Sequence, residues 1–331
     1  MELKKRIYKL LKKEKKQLAI IILINKSLLI IFCFLAKKYT DIKQKFKKKR
    51  IFKYFCCFCA MGKMENLYTR ELISYYMNIG VDKFIIADNN LPNTEKISDV
   101  IEKFIKNNTV DIINIIGNYI EHNELYEKIY VKYKKKCEWM TFFDFDEYLR
   151  MHSKEGNIIG LKEYLSNNVF DKCEAIVINW LLYNDNNLIY YDNKTTVERF
   201  SNPLFNYHAN VYVKPILRGN LNKEVFKVNN THYIPNKEII TCDSMGNIRN
   251  GLIDGINPPL FKYAYLMHFN TRTAEEFVQK IKRRYPPNKF LQLNDKIKTF
   301  FTINKFTEEK LQFFEKSFNK SFDNIRRIYK E

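Results

Sequence analysis

Glycine is scarce in this chain, with 9 among 331 residues. Neither G-x-G-x-x-G nor G-x-x-x-x-G-K-[ST] occurs. Both motifs need glycine where backbone closes on phosphate, so the commonest dinucleotide and P-loop readings are removed. Cysteine is present 7 times, an odd number at irregular spacings, and no pair of CxxC knuckles appears. That speaks against a structural zinc site. Cys56, Cys57 and Cys59 lie in an apolar run and read as buried thiols on a strand, so nothing demands an oxidising compartment. Acidic residues are the minority, 37 against 57 Lys/Arg, for a net charge of +20. The imbalance is local. Residues 1–55 hold 18 Lys/Arg and 3 Asp/Glu, and the remainder 39 and 34. The larger part is therefore a mildly basic globular domain, 331 residues being enough for one large core or two small ones. Enrichment in Lys, Asn, Ile and Tyr is also what A/T-rich codon usage produces.

Residues 18–36, LAIIILINKSLLIIFCFLA, are flanked by lysine-rich stretches. The run could just span a bilayer. Its central Lys26 costs about 2.5–3.5 kcal/mol on the insertion scale, which the apolar majority at roughly 0.3–0.6 kcal/mol each can offset. No small-residue cleavage site follows it. Membrane attachment is expected, as a marginal span or an interfacial helix on anionic lipid, with a helix packed on the domain as the alternative. Positive charge on both flanks assigns no orientation. Without attachment the chain would be cytoplasmic.

From residue 52 strands and helices alternate. Apolar runs at 52–60, 81–90, 110–116 and 138–149 read as strands. Helical patterns cover 65–79, where Leu67, Leu72, Tyr75, Tyr76 and Ile79 share a face and Gly80 ends the helix, then 94–107 with Thr94 as a cap, and 121–136. Further strands are read at 175–184 and 211–217, and a helical tail from about 273. The alternation predicts an α/β fold, a mostly parallel sheet flanked by helices. Ligands of such sheets bind beyond the carboxyl ends of the strands. The division expected is a basic and apolar segment over 1–51, a catalytic domain over 52–290 and a helical tail over 291–331.

The most informative stretch is FFDFDEYL. Alternation along a strand would turn Asp144 and Asp146 to one side and Phe145 to the core. Two carboxylates at a strand end can hold one hard divalent cation, Mn²⁺ or Mg²⁺, which keeps other positions for phosphate or water oxygens. That cation would neutralise a departing diphosphate. A pair of exposed acids in a turn is the bland reading. A rival with similar local chemistry is a haloacid-dehalogenase-type phosphatase with Asp144 as nucleophile and Asp146 as acid/base. It expects Thr or Val where Tyr148 stands and a later GDxxxD-type motif, and neither occurs. A third reading is a non-enzymatic, basic membrane-surface or nucleic-acid-binding protein. No nucleic-acid-binding motif supports it, and it leaves the larger domain unexplained.

Several segments taken together resemble glycosyltransferase family 92 and related family-2-like enzymes. They are CAMGKMENLYTRELISYY (59–76), GVDKFIIADNN (80–90), WMTFFDFDEYL (139–149), INW (178–180), ERF (198–200), VKPI (213–216) and HFNTRTAEEFVQKIKRR (268–284), in family order over roughly residues 52–285. The resemblance implies a GT-A fold, an inverting mechanism, a divalent metal and a nucleotide-sugar donor, UDP-linked by preference, with a glycan or lipid-linked acceptor and no nucleic acid. It makes Asp144 and Asp146 the DxD metal motif and Asp88 a contact to uracil or ribose. Glu65 and Asn66 become a polar pair beside the nucleotide, and His268 a further ligand of metal or phosphate. A satisfied, semi-buried His268 between Tyr265 and Phe269 is the plain alternative. Imidazole suits Mn²⁺ and can also donate to a diphosphate. His232 is a weaker candidate. Lys214 and Arg272 could meet phosphate, although a solvated charge is the default for both residue types.

The chain departs from the family pattern in the helix before the DxD, which reads EHNELYEKIY with Ile129 where relatives have Cys, and in KRRYPP at the end of the last segment. Both departures fall on the acceptor side. Inversion needs a base for the acceptor hydroxyl, and Asp185 and Glu147 are the two candidates. Sugar, base, acceptor and linkage are not legible in the residues.

Overall fold

The computed structural model describes residues 51–115, 122–226, 238–249, 255–284 and 292–330. The lysine-rich and apolar N-terminal segment and His232 lie outside them. Among the described residues no helix is long and apolar enough to cross a membrane.

Nine strands form one sheet: β1 (Tyr54–Gly62), β2 (Lys83–Asp88), β3 (Val110–Asn114), β4 (Cys137–Phe142), β5 (Glu147–Met151), β6 (Ala175–Leu182), β7 (Val213–Arg218), β8 (Thr241–Cys242) and β9 (Ala264–His268). Their order is β3-β2-β1-β4-β7-β6-β9-β5, with β8 on β6. The first four are parallel. Beyond them β4–β7, β7–β6 and β9–β5 are antiparallel, while β6–β9 and β6–β8 are parallel. The fold is thus mixed α/β with flanking helices, and its sheet joins a parallel half to one that mixes parallel and antiparallel pairs. Its parallel half behaves as the apolar runs predict. β2 is buried throughout, and strands covered on both faces read as continuous hydrophobic stretches.

Three helices cover this half: α1 (Asn66–Ile79), α2 (Ser98–Lys106) and α3 (His122–Tyr133). Gly80 closes α1 with φ +106°, donating its N–H to Met77 O, the left-handed terminus that glycine allows without a Cβ clash. The buried face of α1 is Tyr68, Thr69, Leu72, Ile73 and Tyr76. It sits about one residue away from the predicted face. Tyr75 and Ile79 are half-buried and Leu67 is exposed. Thr94 does not cap α2. Its hydroxyl donates to Leu91 O in the preceding turn.

The strand read over 138–149 is two strands, β4 and β5, broken at Phe143–Asp146. This break carries the chain from the parallel half to the β9 edge, where Glu147 pairs with His268. At the C-terminus α4 (Ala274–Arg284), α5 (Leu293–Ile303), α6 (Glu308–Phe318) and α7 (Asp323–Lys330) share a separate core. It contains Phe277, Val278 and Ile281 of α4 with Ile297, Phe300, Leu311, Phe314 and Ile325 of the later helices.

Cysteine corrects a second expectation. Cys57 is bonded to Cys137, and Cys173 to Cys242, while Cys56 and Cys59 are buried thiols as expected. The bonded partners are 80 and 69 residues apart, so local spacing could not reveal them.

Candidate active site

The parallel strands β1, β2 and β4 end on one edge. Gly62 stands opposite Asp88, and the Phe143–Asp146 turn follows β4 directly. Phe145 anchors that turn. Its side chain is buried, and a Cβ on Gly62 would come within 2.8 Å of its ring, so glycine is what lets the ring in. Around this anchor Glu147 N donates to Asp144 O at 3.1 Å, and Asp144 N donates to Glu147 Oε2 at 2.9 Å. Phe269 N donates to Asp146 O at 2.9 Å. The two aspartates therefore stand in a turn braced from β5 and β9, not on a strand where alternation would orient them.

Each aspartate meets a cation from a different element. Lys214 of β7 donates to Asp144 Oδ2 at 2.8 Å and lies 3.7 Å from Glu147 Oε1. Lys280 of α4 donates to Asp146 Oδ2 at 2.7 Å, and to Asn270 O and Oδ1 at 2.7 and 2.9 Å. On the other side of Asp146, His268 Nε2 is 3.7 Å from Oδ1. Burial would raise the Asp146 carboxyl, but Lys280 first, then the His268 ring and Arg272, outweigh it and hold Asp146 well below the usual carboxylate range. Burial lowers His268 to about 4, against the attraction of Asp146. Its imidazole is neutral near pH 7 and keeps a lone pair for a ligand. Its Nδ1 is buried with no hydrogen-bond partner. The ring packs on Trp180 with centroids 4.2 Å apart.

A cavity of about 420 Å³ opens beside the turn, walled by Asp146, Arg272, Lys280, Arg283, Tyr68 and Tyr191 among others. The Arg272 guanidinium lies 3.4 Å over the Tyr68 ring and donates to Phe145 O at 3.0 Å. Its NH1 is 3.6 Å from Glu65 Oε2. Its φ is +53°, a backbone region rarely adopted outside glycine and asparagine. Glu65 also accepts from Arg283. In the same wall Glu276 accepts both terminal nitrogens of Arg199, at 2.6 and 3.0 Å, and the Tyr68 hydroxyl at 2.9 Å.

The structure brings Glu65, Asp144, Asp146, Lys214, His268 and Arg272 into this one network. Asp88 and Asn66 serve the neighbouring loop. Asp88 accepts Asn90 N and Ile97 N, and Asn66 donates to Lys96 O. The two suggested bases have other partners. Glu147 is fully buried and accepts Trp180 Nε1 at 2.7 Å. Burial pushes its carboxyl up, against the opposing charge of Lys214. Asp185 is buried against Lys310 of α6, 2.6 Å away. Lys280, Arg283 and Glu276 were not singled out from sequence. Their signal was the i, i+4, i+7 spacing of Glu276, Lys280 and Arg283, one face of a helix.

The model of glycosyltransferase family 92 matches residues 52–296. The chain belongs to glycosyltransferase family 92. That span includes every strand among the described residues and the whole acidic turn, and family membership displaces the phosphatase reading. A family 92 protein of Arabidopsis thaliana is 29% identical over 120 residues, 35% of this chain and 20% of that protein. One of Ricinus communis is 27% identical over 96 residues, 29% of this chain and 17% of that protein. The chain thus matches about a fifth or less of the length of these relatives. Among solved structures, S. aureus TarS 1-349 matches 80% of this chain and 70% of its own at 10% identity and a TM-score of 0.32.

Proposed function

We propose that this family 92 domain transfers a sugar from a nucleotide-diphospho-sugar, UDP-linked by preference, to a hydroxyl of a glycan or lipid-linked acceptor, with inversion. The observation that carries the reading is the meeting, at one cavity, of an acidic turn with Lys280, Arg272 and Arg283. A departing diphosphate is the leaving group such fixed cations stabilise, because positive groups already in place need no reorganisation as negative charge develops.

A divalent cation fits the residues present. Asp146 Oδ1 and His268 Nε2 are 3.7 Å apart and form a pair of one anionic oxygen and one neutral nitrogen. Among the described residues no cluster of three His, Cys, Asp or Glu is poised for a metal. Mn²⁺ or Mg²⁺ would therefore take its remaining positions from phosphate and water oxygens, as these ions commonly do. When bound, the ion supplies Lewis-acid help to the leaving diphosphate. Asp144, held by Lys214, completes the acidic turn. Glu147 positions it, gripping the Asp144 N–H with one oxygen and Trp180 with the other. The two disulfides favour an oxidising compartment for this domain over the cytoplasm, and attachment through residues 18–36 would hold it at a membrane surface.

Titration calorimetry with UDP, GDP and CMP in the presence of Mn²⁺ tests the donor class, with UDP expected to bind. Asp146→Asn is expected to lower metal-dependent donor hydrolysis by about 100-fold or more, the scale seen when one transition-state-stabilising group is removed, with an unchanged circular dichroism spectrum. Wild-type turnover in that variant removes Asp146 from the site.

A further inference from the structure

Lys280 is placed to do more than neutralise Asp146. Its ammonium has three oxygen neighbours at 2.7–2.9 Å, Asp146 Oδ2 and the backbone and side-chain oxygens of Asn270. An ammonium has three N–H donors, so these contacts use its full set. The group thereby sits as a cation in an oxygen-lined seat. It covers one edge of Asp146 and leaves the other, Oδ1, toward His268. The same side chain lines the cavity, and only 16% of it is exposed. It stands on α4, whose opposite side is fixed in the C-terminal core, so the long stem can move its head while the helix stays in place.

We propose that Lys280 is an internal counter-ion that makes metal binding contingent on the nucleotide. With the cavity free of donor, the ammonium competes with a divalent cation for Asp146. When a diphosphate enters, the ammonium exchanges Asp146 Oδ2 for a phosphate oxygen, and the carboxylate becomes available to the metal. Two like charges cannot share one carboxylate without mutual repulsion. That repulsion grows where burial keeps water from screening it, whereas a diphosphate gives each cation its own oxygens. The role is one of positioning and ordering, and it rests on the reading of the cavity as a diphosphate site.

The test is the affinity of the full chain for Mn²⁺ alone and for UDP with Mn²⁺, by calorimetry and by the electron paramagnetic resonance of free Mn²⁺, in wild type, Lys280→Met and Lys280→Arg. Lys280→Met removes the charge and keeps most of the stem. It is expected to bind Mn²⁺ alone about tenfold or more tighter than wild type, and UDP with Mn²⁺ about tenfold or more weaker. Lys280→Arg, which retains the charge, is expected to stay near wild type in Mn²⁺ affinity and serves if the methionine variant does not fold. A tenfold gain in Mn²⁺ affinity in the arginine variant, or none in a folded methionine variant, overturns the counter-ion role while leaving the diphosphate site standing. Failure of wild type to bind UDP under any metal condition overturns both.

Discussion

Reduction of the two disulfides should remove most of the stability of the catalytic domain. Cys57–Cys137 closes 80 residues and Cys173–Cys242 closes 69, and the two loops do not overlap. The chain-entropy relation assigns about 4.5 kcal/mol to a loop of this length, so the pair sums to roughly 9 kcal/mol as an upper figure. Engineered and native bridges more often deliver about 2–4 kcal/mol each, so a loss of roughly 4–9 kcal/mol is expected. Typical domains have only about 5–15 kcal/mol in total. Cys57 and Cys137 are both fully buried and tie β1 to the start of β4, the strand whose other end leads into the acidic turn, so the loss should reach the site through that strand. The assay is guanidinium unfolding of oxidised protein against reduced and alkylated protein, with mass spectrometry confirming both thiol states. Trp139 is buried with the Arg218 guanidinium 4.2 Å over its ring, which supplies a fluorescence reporter on β4. Coincident midpoints for the two states, or a mass showing free Cys57 and Cys137 in protein secreted through an oxidising compartment, would refute the reasoning.

Two further outcomes concern a buried ion pair in the cavity wall and a crowded glycine beside the start of β4. Glu276→Gln leaves Arg199 buried without its counter-charge and should cost about 3–5 kcal/mol at neutral pH. Burial would raise the Glu276 carboxyl, but the Arg199 hydrogen bonds and the Arg272 charge outweigh it, so its folded-state value lies below 4.5. Its contribution is therefore present above pH 4.5 and lost as pH falls below it. The gap between wild type and variant in urea midpoints should narrow in that range, and a gap that stays constant down to pH 3 would count against the pairing. Gly219→Ala would set a Cβ 1.8 Å from Cys137 O and 2.6 Å from Lys134 O. Backbone must move to relieve it, at about 1–3 kcal/mol or more, read as a lowered thermal midpoint.

The strands of the parallel half were legible because burial on both faces leaves unbroken apolar runs such as YFCCFCAMG. The helix between β1 and β2 was legible in extent but not in facing. Leu67 counted as core by its chemistry, yet it lines the cavity, and an apolar residue at a binding site carries the same letter as one in a core. The break at Phe143–Asp146 was hidden because apolar and acidic residues continue the strand alternation without glycine, proline or asparagine to mark a turn. The stretch is the passage between the two halves of the sheet. The mixed half depended on pairings such as Ile178 with Lys214 and Glu147 with His268, which no local pattern encodes. Asp144 and Asp146 stood out from sequence because acids are costly amid aromatics. Their lysine partners did not stand out as partners: Lys214 entered only as a phosphate contact and Lys280 not at all, since they lie 70 and 134 positions away in a chain already rich in lysine.

Helix α4 has two employers. One face carries Glu276, Lys280 and Arg283 to the cavity, while Phe277, Val278 and Ile281 are covered by the last three helices. The stretch shared with the family ends at residue 296, inside α5, whereas the side chains covering that second face run on to Ile325. A gene fragment trimmed to the family border would leave a greasy stripe facing water on the very helix that delivers Lys280. The smallest useful recombinant piece is therefore longer than the homology suggests, and its last thirty-odd codons act as scaffolding for the wall, which they meet where the Asn304 amide donates to Thr271 Oγ1.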